Sequence, residues 1–292
     1  MHRPRGIACA PTHRIDRIDD MPDLPLLLAF SALGIGAGFL AGLLGIGGGM
    51  VMVPFLTAIM ATQGNDADLA IKMAIATSMA TIVFTSLSSV RAHHGRGAVR
   101  WDLVQSLAPG IVLGSLIASA GVFALLKGRP LAIVFGLFVA YSATRMLTAS
   151  STASAQPMPG RARQWATGGA IGFCSGLVGA GGGFISVPFM TRRGVPIHAA
   201  VGTSAALGFP IALANVAGYV VSGMRVEGLP PASIGYVWLP ALVTIALLSV
   251  LMAPLGARAA HRLPVHKLKR VFAGLLYALA AYMLWKGLLA PA

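Results

Sequence analysis

Apolar residues occupy this chain in long blocks, and polar residues collect between them. The blocks are Leu24–Leu44, resuming after a glycine-rich break through Met50–Met60, then Ala70–Val90, Leu103–Leu126 and Leu131–Ala149. After a polar interval they continue as Trp165–Val178, Ala199–Val221, Tyr236–Gly256 and Val271–Ala290. Several approach or exceed the roughly 18–20 residues that cross a bilayer core as a helix. Trp165–Val178 falls short, because its 14 residues make only about 21 Å of helix. The pattern predicts an all-α polytopic membrane protein.

The pattern also repeats. Gly34–Leu56 reads GIGAGFLAGLLGIGGGMVMVPFL and Gly168–Met190 reads GGAIGFCSGLVGAGGGFISVPFM. A shift of 134 residues aligns them without a gap and superimposes the triple glycines and Val-Pro-Phe. Gly34, Gly38 and Gly42, like Gly168, Gly172 and Gly176, recur every fourth residue, so each set lies on one helix face where another backbone can approach. The triple glycine then interrupts the helix, at about 1 kcal/mol per glycine and with tolerance of positive φ. The expected organisation is a polar tail (1–20), a first membrane repeat (21–149), a linker (150–164) and a second membrane repeat (165–292). Each repeat holds about four apolar segments, with the Gly-rich helices broken or re-entrant.

Composition supports a membrane protein: 56% of residues are hydrophobic, 10% are charged and mean hydropathy is +0.79, whereas a soluble chain carries about 25% charge. The net charge of +14 does not point to nucleic acid, because the basic residues sit between apolar blocks. The tail lacks the apolar core of a signal peptide, and Met21 is an alternative start. Lys and Arg test the topology. With every segment a full span they divide almost evenly between the two sides. With re-entrant Gly-rich segments, one side holds only Lys72, Lys127, Arg129, Arg225 and Lys286. The other then gains Arg192, Arg193 and the Arg258–Arg270 cluster. That arrangement leaves three crossings per half and predicts inverted repeats, with the basic loops Arg91–Arg100, Arg161–Arg163 and Arg258–Arg270 on the cytoplasmic side.

Inverted repeats with broken helices carry their site at the break. Helices starting after Gly49 and Gly183 would present free N–H groups and a partial positive charge, and glycine lets a ligand approach them. Gly47, Gly48, Gly49, Gly181, Gly182 and Gly183 are therefore candidate anion-binding residues; tight packing is the competing explanation. Beyond the tail the carboxylates are Asp23, Asp66, Asp68, Asp102 and Glu227, all at segment ends or in loops, so the interior suits an anion better than a cation. Ala76-Thr77-Ser78 matches Gly202-Thr203-Ser204 at an offset of 126 residues. Thr77, Ser78, Thr203 and Ser204 could donate to an oxyanion or bond back to their own helices. For Thr81 and Thr85 the latter is expected. Asn215 is a further polar candidate, with interhelical bonding as its alternative. Lys72 and His198 are expected to cap or snorkel, His93 and His94 to sit at the interface, and Cys174 to fill core. Neither a disulfide nor a metal site is expected from Cys9 and Cys174, and no cofactor is called for.

The doubled G-x-[LC]-x-G-x-x-G-x-G-G-G-x-x-x-V-P pattern, the Ala-Thr-Ser and Gly-Thr-Ser that follow, and the two-half layout resemble the sulfite exporter TauE/SafE family over about Leu24–Leu289. The resemblance implies a multi-pass transporter of the cytoplasmic membrane. Its substrate would be a small anion such as sulfite, sulfoacetate or a related organosulfur compound. A passive anion channel and a carrier of small carboxylates are the alternatives. An intramembrane enzyme would need a catalytic set such as His-x-x-x-His or paired aspartates, and none occurs. No nucleotide-binding loop is present either. The expected partners are the anion and the lipid bilayer, with a proton or sodium coupling ion and a homodimer left open, and no nucleic acid.

Overall fold

A computed structural model describes residues 23–45, 47–64, 66–148, 157–260 and 265–289; the tail and most of the linker lie outside them. The elements are α1 (Leu24–Leu44), α2 (Gly49–Thr62), α3 (Ala67–His94), α4 (Trp101–Leu116), α5 (Phe123–Leu125) and α6 (Gly128–Thr148). They continue as α7 (Arg161–Val178), α8 (Gly183–Thr191), α9 (Ile197–Gly223), α10 (Leu239–Ala260) and α11 (Val265–Leu288). Among the described residues, six helical stretches are long and apolar enough to cross a membrane: Leu24–Leu44, Ala67–His94, Trp101–Leu125, Gly128–Thr148, Ile197–Gly223 and Leu239–Ala260. The chain is an all-α polytopic membrane protein.

Three local features depart from the sequence pattern. The helix expected to start at Trp165 starts at Arg161, so α7 is about 27 Å long rather than 21 Å. Its added first turn, Arg-Ala-Arg-Gln, is polar and was invisible to an apolar count. Tyr236 lies in a short antiparallel hairpin, β1 (Ser233–Ile234) and β2 (Val237–Trp238), and α10 begins only at Leu239. Between α4 and α5 the helix widens into a π-turn at Ile117–Val122.

Both Gly-rich stretches are broken helices. α1 closes at Gly45, whose backbone is left-handed and whose N–H donates to Ala41 O; α7 closes the same way at Gly179, donating to Ser175 O. The chain then doubles back. A Cβ on Gly48 would stand 2.7 Å from the Ala37 carbonyl oxygen, whereas residues eleven apart in a continuous helix are separated by roughly 16 Å. A Cβ on Gly182 would likewise stand 2.9 Å from the Ile171 side chain.

The two glycine stripes decide which helices pair. A methyl at Gly38 or Gly42 would collide with the backbone of Ser249 or Ala253 on α10, and Ser249 Oγ donates to Gly34 O at 3.0 Å. On α7, methyls at Gly168 and Gly172 would collide with the backbone of Leu107 and Ile111 on α4. Each stripe thus meets a backbone from the other half of the chain. This is where a membrane bundle gains its van der Waals energy, since lipid offers no hydrophobic drive between helices.

Helices α3 and α9 cross the centre antiparallel. Gly202, near the start of α9, abuts Ala98 just beyond the end of α3, and Gly208 stands beside Ser86. The ends of α1, α3, α6 and α10 and the start of α9 meet around one cavity, lined among others by Leu44, His93, Arg145, His198 and Ala260. At the opposite end Lys72 Nζ donates to Ala124 O at 3.3 Å and lies over the rings of Phe123 and Tyr236.

Candidate functional site

Breaking a helix inside a membrane strands carbonyl groups, each costing several kcal/mol in hydrocarbon if left unpaired. Buried side chains from the central helices meet that cost here. Ser204 Oγ on α9 donates to Gly45 O at 2.8 Å, and Ser78 Oγ on α3 reaches Gly179 O at 3.4 Å. His93 Nε2 lies 3.0 Å from Gly42 O, and Tyr219 Oη donates to Gly176 O. The same offset of 126 residues relates Ser78 to Ser204 and His93 to Tyr219.

The threonines of the two matched tripeptides do something different. Thr77 Oγ1 accepts the N–H of Trp238 at 3.0 Å, and Thr203 Oγ1 accepts the N–H of Arg100 at 2.9 Å. Arg100 is the residue before α4 and Trp238 the residue before α10. Each threonine therefore fastens the start of a helix in the opposite half. Asn215 Nδ2 donates to Ile211 O at 2.8 Å, while its buried Oδ1 has no partner and faces Gly176.

The two breaks touch. A Cβ on Gly47 would stand 3.2 Å from Gly181 Cα, and one on Gly49 would overlap the carbonyl of Gly179. α2 and α8 both start here on left-handed glycines, Gly48 and Gly182, with no side chain capping either first turn. The first-turn N–H groups are the ones that an intact helix would have bonded, and the helix dipole adds positive potential there.

Between the breaks lies a cleft of about 10 Å³, lined by Gly45, Gly47, Gly181, Thr85, Ser86, Ser89, Ser204 and Gly208. That is space for about one water. Of the eleven residues singled out from sequence, Gly47, Gly181 and Ser204 line this cleft. Gly48, Gly49 and Gly182 form the turns and helix starts beside it. Gly183 starts α8 and lines the larger cavity. Thr77, Ser78, Thr203 and Asn215 are among neither set of lining residues.

Sequence reasoning assigned Thr81 and Thr85 on α3 to helix bonding alone and missed Ser86 and Ser89. Thr85 donates to Thr81 O at 3.0 Å, as expected of a helix-bonded threonine, yet it also lines the cleft. Ser89 Oγ is buried in the cleft wall without a hydrogen-bond partner. The signal was available, because Ser89 continues the fourth-residue spacing of Thr77, Thr81 and Thr85, and Ser86 stands next to Thr85. Ser186 was missed too; its Oγ donates to Ser204 Oγ at 2.9 Å.

Two larger cavities adjoin the break. One of about 120 Å³ is lined by Leu43, Leu44, His93, Arg145, Gly183, Val187, His198 and Val201, among others. The other, about 670 Å³, lies between α6, α7 and α8 and carries Arg145, Arg192 and Arg193. Among the described residues no Asp or Glu lines either cavity or the cleft. Asp66 caps the start of α3, Asp68 and Asp102 lie in the first turns of α3 and α4, Asp23 precedes α1, and Glu227 lies in a loop. Among the described residues no group of three or more His, Cys, Asp or Glu could hold a metal ion.

A multi-pass helical bundle whose paired helix breaks meet in its interior has the architecture of a membrane transporter. The chain belongs to the Sulfite exporter TauE/SafE family, whose description matches residues 30–283. A probable membrane transporter protein of Haemophilus influenzae is 38% identical over 261 residues, covering 87% of this chain and 96% of that protein. One from Methanocaldococcus jannaschii is 27% identical over 272 residues, covering 89% and 95%. The probable membrane transporter protein MamO of Paramagnetospirillum magneticum is 30% identical over 291 residues, which is 86% of this chain and 43% of that longer one. No solved structure matches.

Proposed function

We propose that this membrane transporter carries a small oxyanion, sulfite or an organosulfur anion such as sulfoacetate, and that the anion passes through the cleft between the two breaks. The observation that carries the reading is the meeting of two uncapped helix starts beside a hydroxyl-lined cleft with no carboxylate. An anion leaving water needs donors in place of its hydration shell. Backbone N–H groups and serine hydroxyls donate without bringing a counter-charge that would hold the ion too tightly. The halves act as inverted repeats that rock about α3 and α9, opening the cleft alternately to each side, and the basic end faces the cytoplasm of the cell membrane. Space for about one water then describes a closed state that must widen to take an oxyanion.

The test is flux in proteoliposomes holding the purified protein, using sulfite, sulfoacetate and acetate with and without an imposed proton or sodium gradient. Saturable uptake of sulfite or sulfoacetate against its own gradient, driven by one of the ions, is the expected result. Downhill flux alone, insensitive to either ion, would identify a channel. Preference for acetate would make the protein a carboxylate carrier, and no flux of any of the three would refute the reading.

A further inference from the structure

We infer that Arg145 is the selectivity residue of the anion path, standing where the outer groove joins the inner chamber; this rests on the anion-transport reading above. Arg145 lies in the last turn of α6 and is half-buried. It lines both the 670 Å³ groove and the 120 Å³ chamber, and among the described residues Phe184 and Pro188 share that position with it. The chamber in turn reaches Gly183, the first residue of α8. An anion travelling from the groove to the breaks passes this guanidinium.

Its charge is uncommitted. Among the described residues the ion pair found is that of Arg100 with Asp102. Arg193, the neighbouring cation in the groove, is already occupied: Nη1 donates to Pro157 O at 2.8 Å and the guanidinium lies over the Phe189 ring. Among the described residues Arg145 has no hydrogen bond, ion pair or ring contact of that kind, and no carboxylate of theirs lines either space around it. Leu43, Leu44 and Val187 wall the chamber, and apolar walls strengthen a charge's reach by lowering the local dielectric. The guanidinium fork donates two parallel hydrogen bonds to an oxyanion, a geometry that an ammonium lacks. An arginine left unpaired beside a path free of carboxylates would admit oxyanions and repel cations.

The test compares Arg145→Gln, Arg145→Lys and Arg193→Gln with the parent in proteoliposome uptake of sulfite and sulfoacetate, at matched reconstitution. R145Q is expected to raise KM about tenfold or more, the effect of losing one charged hydrogen-bonding partner, with a smaller change in the maximal rate. R145K should recover part of the loss, and R193Q should stay within about twofold of the parent, since Arg193 is tied elsewhere. A merely structural arginine would lower the amount of active protein and leave KM alone. A second measurement needs no variant: in the parent, sulfite or sulfoacetate should slow phenylglyoxal modification of Arg145, read by peptide mass, and leave Arg163 unaffected. Transport by the parent with an unchanged KM in R145Q, or equal modification of Arg145 with and without either anion, overturns the assignment. A parent that moves neither anion overturns the transport reading itself.

Discussion

In the cleft between the two helix breaks, Gly208 and Thr85 border open space. The offset of 126 residues that pairs Thr77 with Thr203 relates Gly208 to Ile82 and Thr85 to Ile211. Those isoleucines are fully buried and press on the turns: Ile82 would lie 3.0 Å from a Cβ on Gly49, and Ile211 2.5 Å from one on Gly182. The hydroxyls are unequal as well. Ser204 holds Gly45 O at 2.8 Å, whereas Ser78 reaches Gly179 O only at 3.4 Å. Ser89 corresponds to Asn215, and both leave a buried oxygen unpartnered, but only Ser89 lines the cleft. Two similar backbones can therefore serve as a shared scaffold while one side alone keeps open space.

The comparison can be broken most forcefully at the turns. Gly48→Val and Gly182→Val should each abolish anion uptake at matched membrane expression. Both positions have positive φ, at 73° and 75°, where a β-branched residue is an outlier. Normal transport by either variant would show that the triple glycines serve packing alone. Next in size is Gly208→Ile, which copies the Ile82 side onto the open side. A Cβ there would meet Ser86 Cβ at 3.3 Å, which must give slightly, and Gly181 O at 3.9 Å. The rest of the side chain overfills a cleft with space for about one water, so the variant should lose most of its uptake at matched membrane expression. Uptake equal to the parent's would move the path elsewhere.

The serines sharpen the contrast. Ser204→Ala leaves a buried carbonyl unpaired and should cost on the order of 1–3 kcal/mol in thermal unfolding in detergent. Ser78→Ala should cost less, because the bond it removes is already long, and the reverse ranking would contradict the asymmetry. The smallest effects are expected from Thr77→Ala and Thr203→Ala. Each removes one neutral hydrogen bond at a helix start, worth about 0.5–1.5 kcal/mol net. Their loss should appear in stability with little change in KM; a large rise in KM for Thr203→Ala would put that hydroxyl on the ligand.

Much of this architecture was legible in one chain. Three consecutive glycines cannot continue a helix cheaply, so the breaks followed from local physics. The fourth-residue glycine spacing foretold a close backbone partner, although not which one. The positions of Asp66, Asp68 and Asp102 at helix starts followed from the apolar blocks around them. The duties of the hydroxyls did not. Ser204 meets Gly45 across 159 residues and Thr77 meets Trp238 across 161, and nothing in a local pattern separates a hydroxyl that fastens a helix from one that faces a ligand. The second half of the hairpin, Tyr236–Trp238, was read into the following apolar segment because Tyr-Val-Trp is as apolar as the helix it leads into. Only Gly235, at φ 54°, hinted otherwise.

The pairing of α1 with α10 has a consequence for how the protein is made. Gly34 waits for Ser249, 215 residues further on. At ribosomal rates of about 5–20 residues per second, that interval lasts roughly 10–40 s. Throughout it the glycine face of α1 has no permanent neighbour. A nascent chain stopped before α10 would hold a broken helix whose main packing surface faces lipid or a chaperone, and the quality-control machinery of the membrane would meet the N-terminal half in that condition on every round of synthesis.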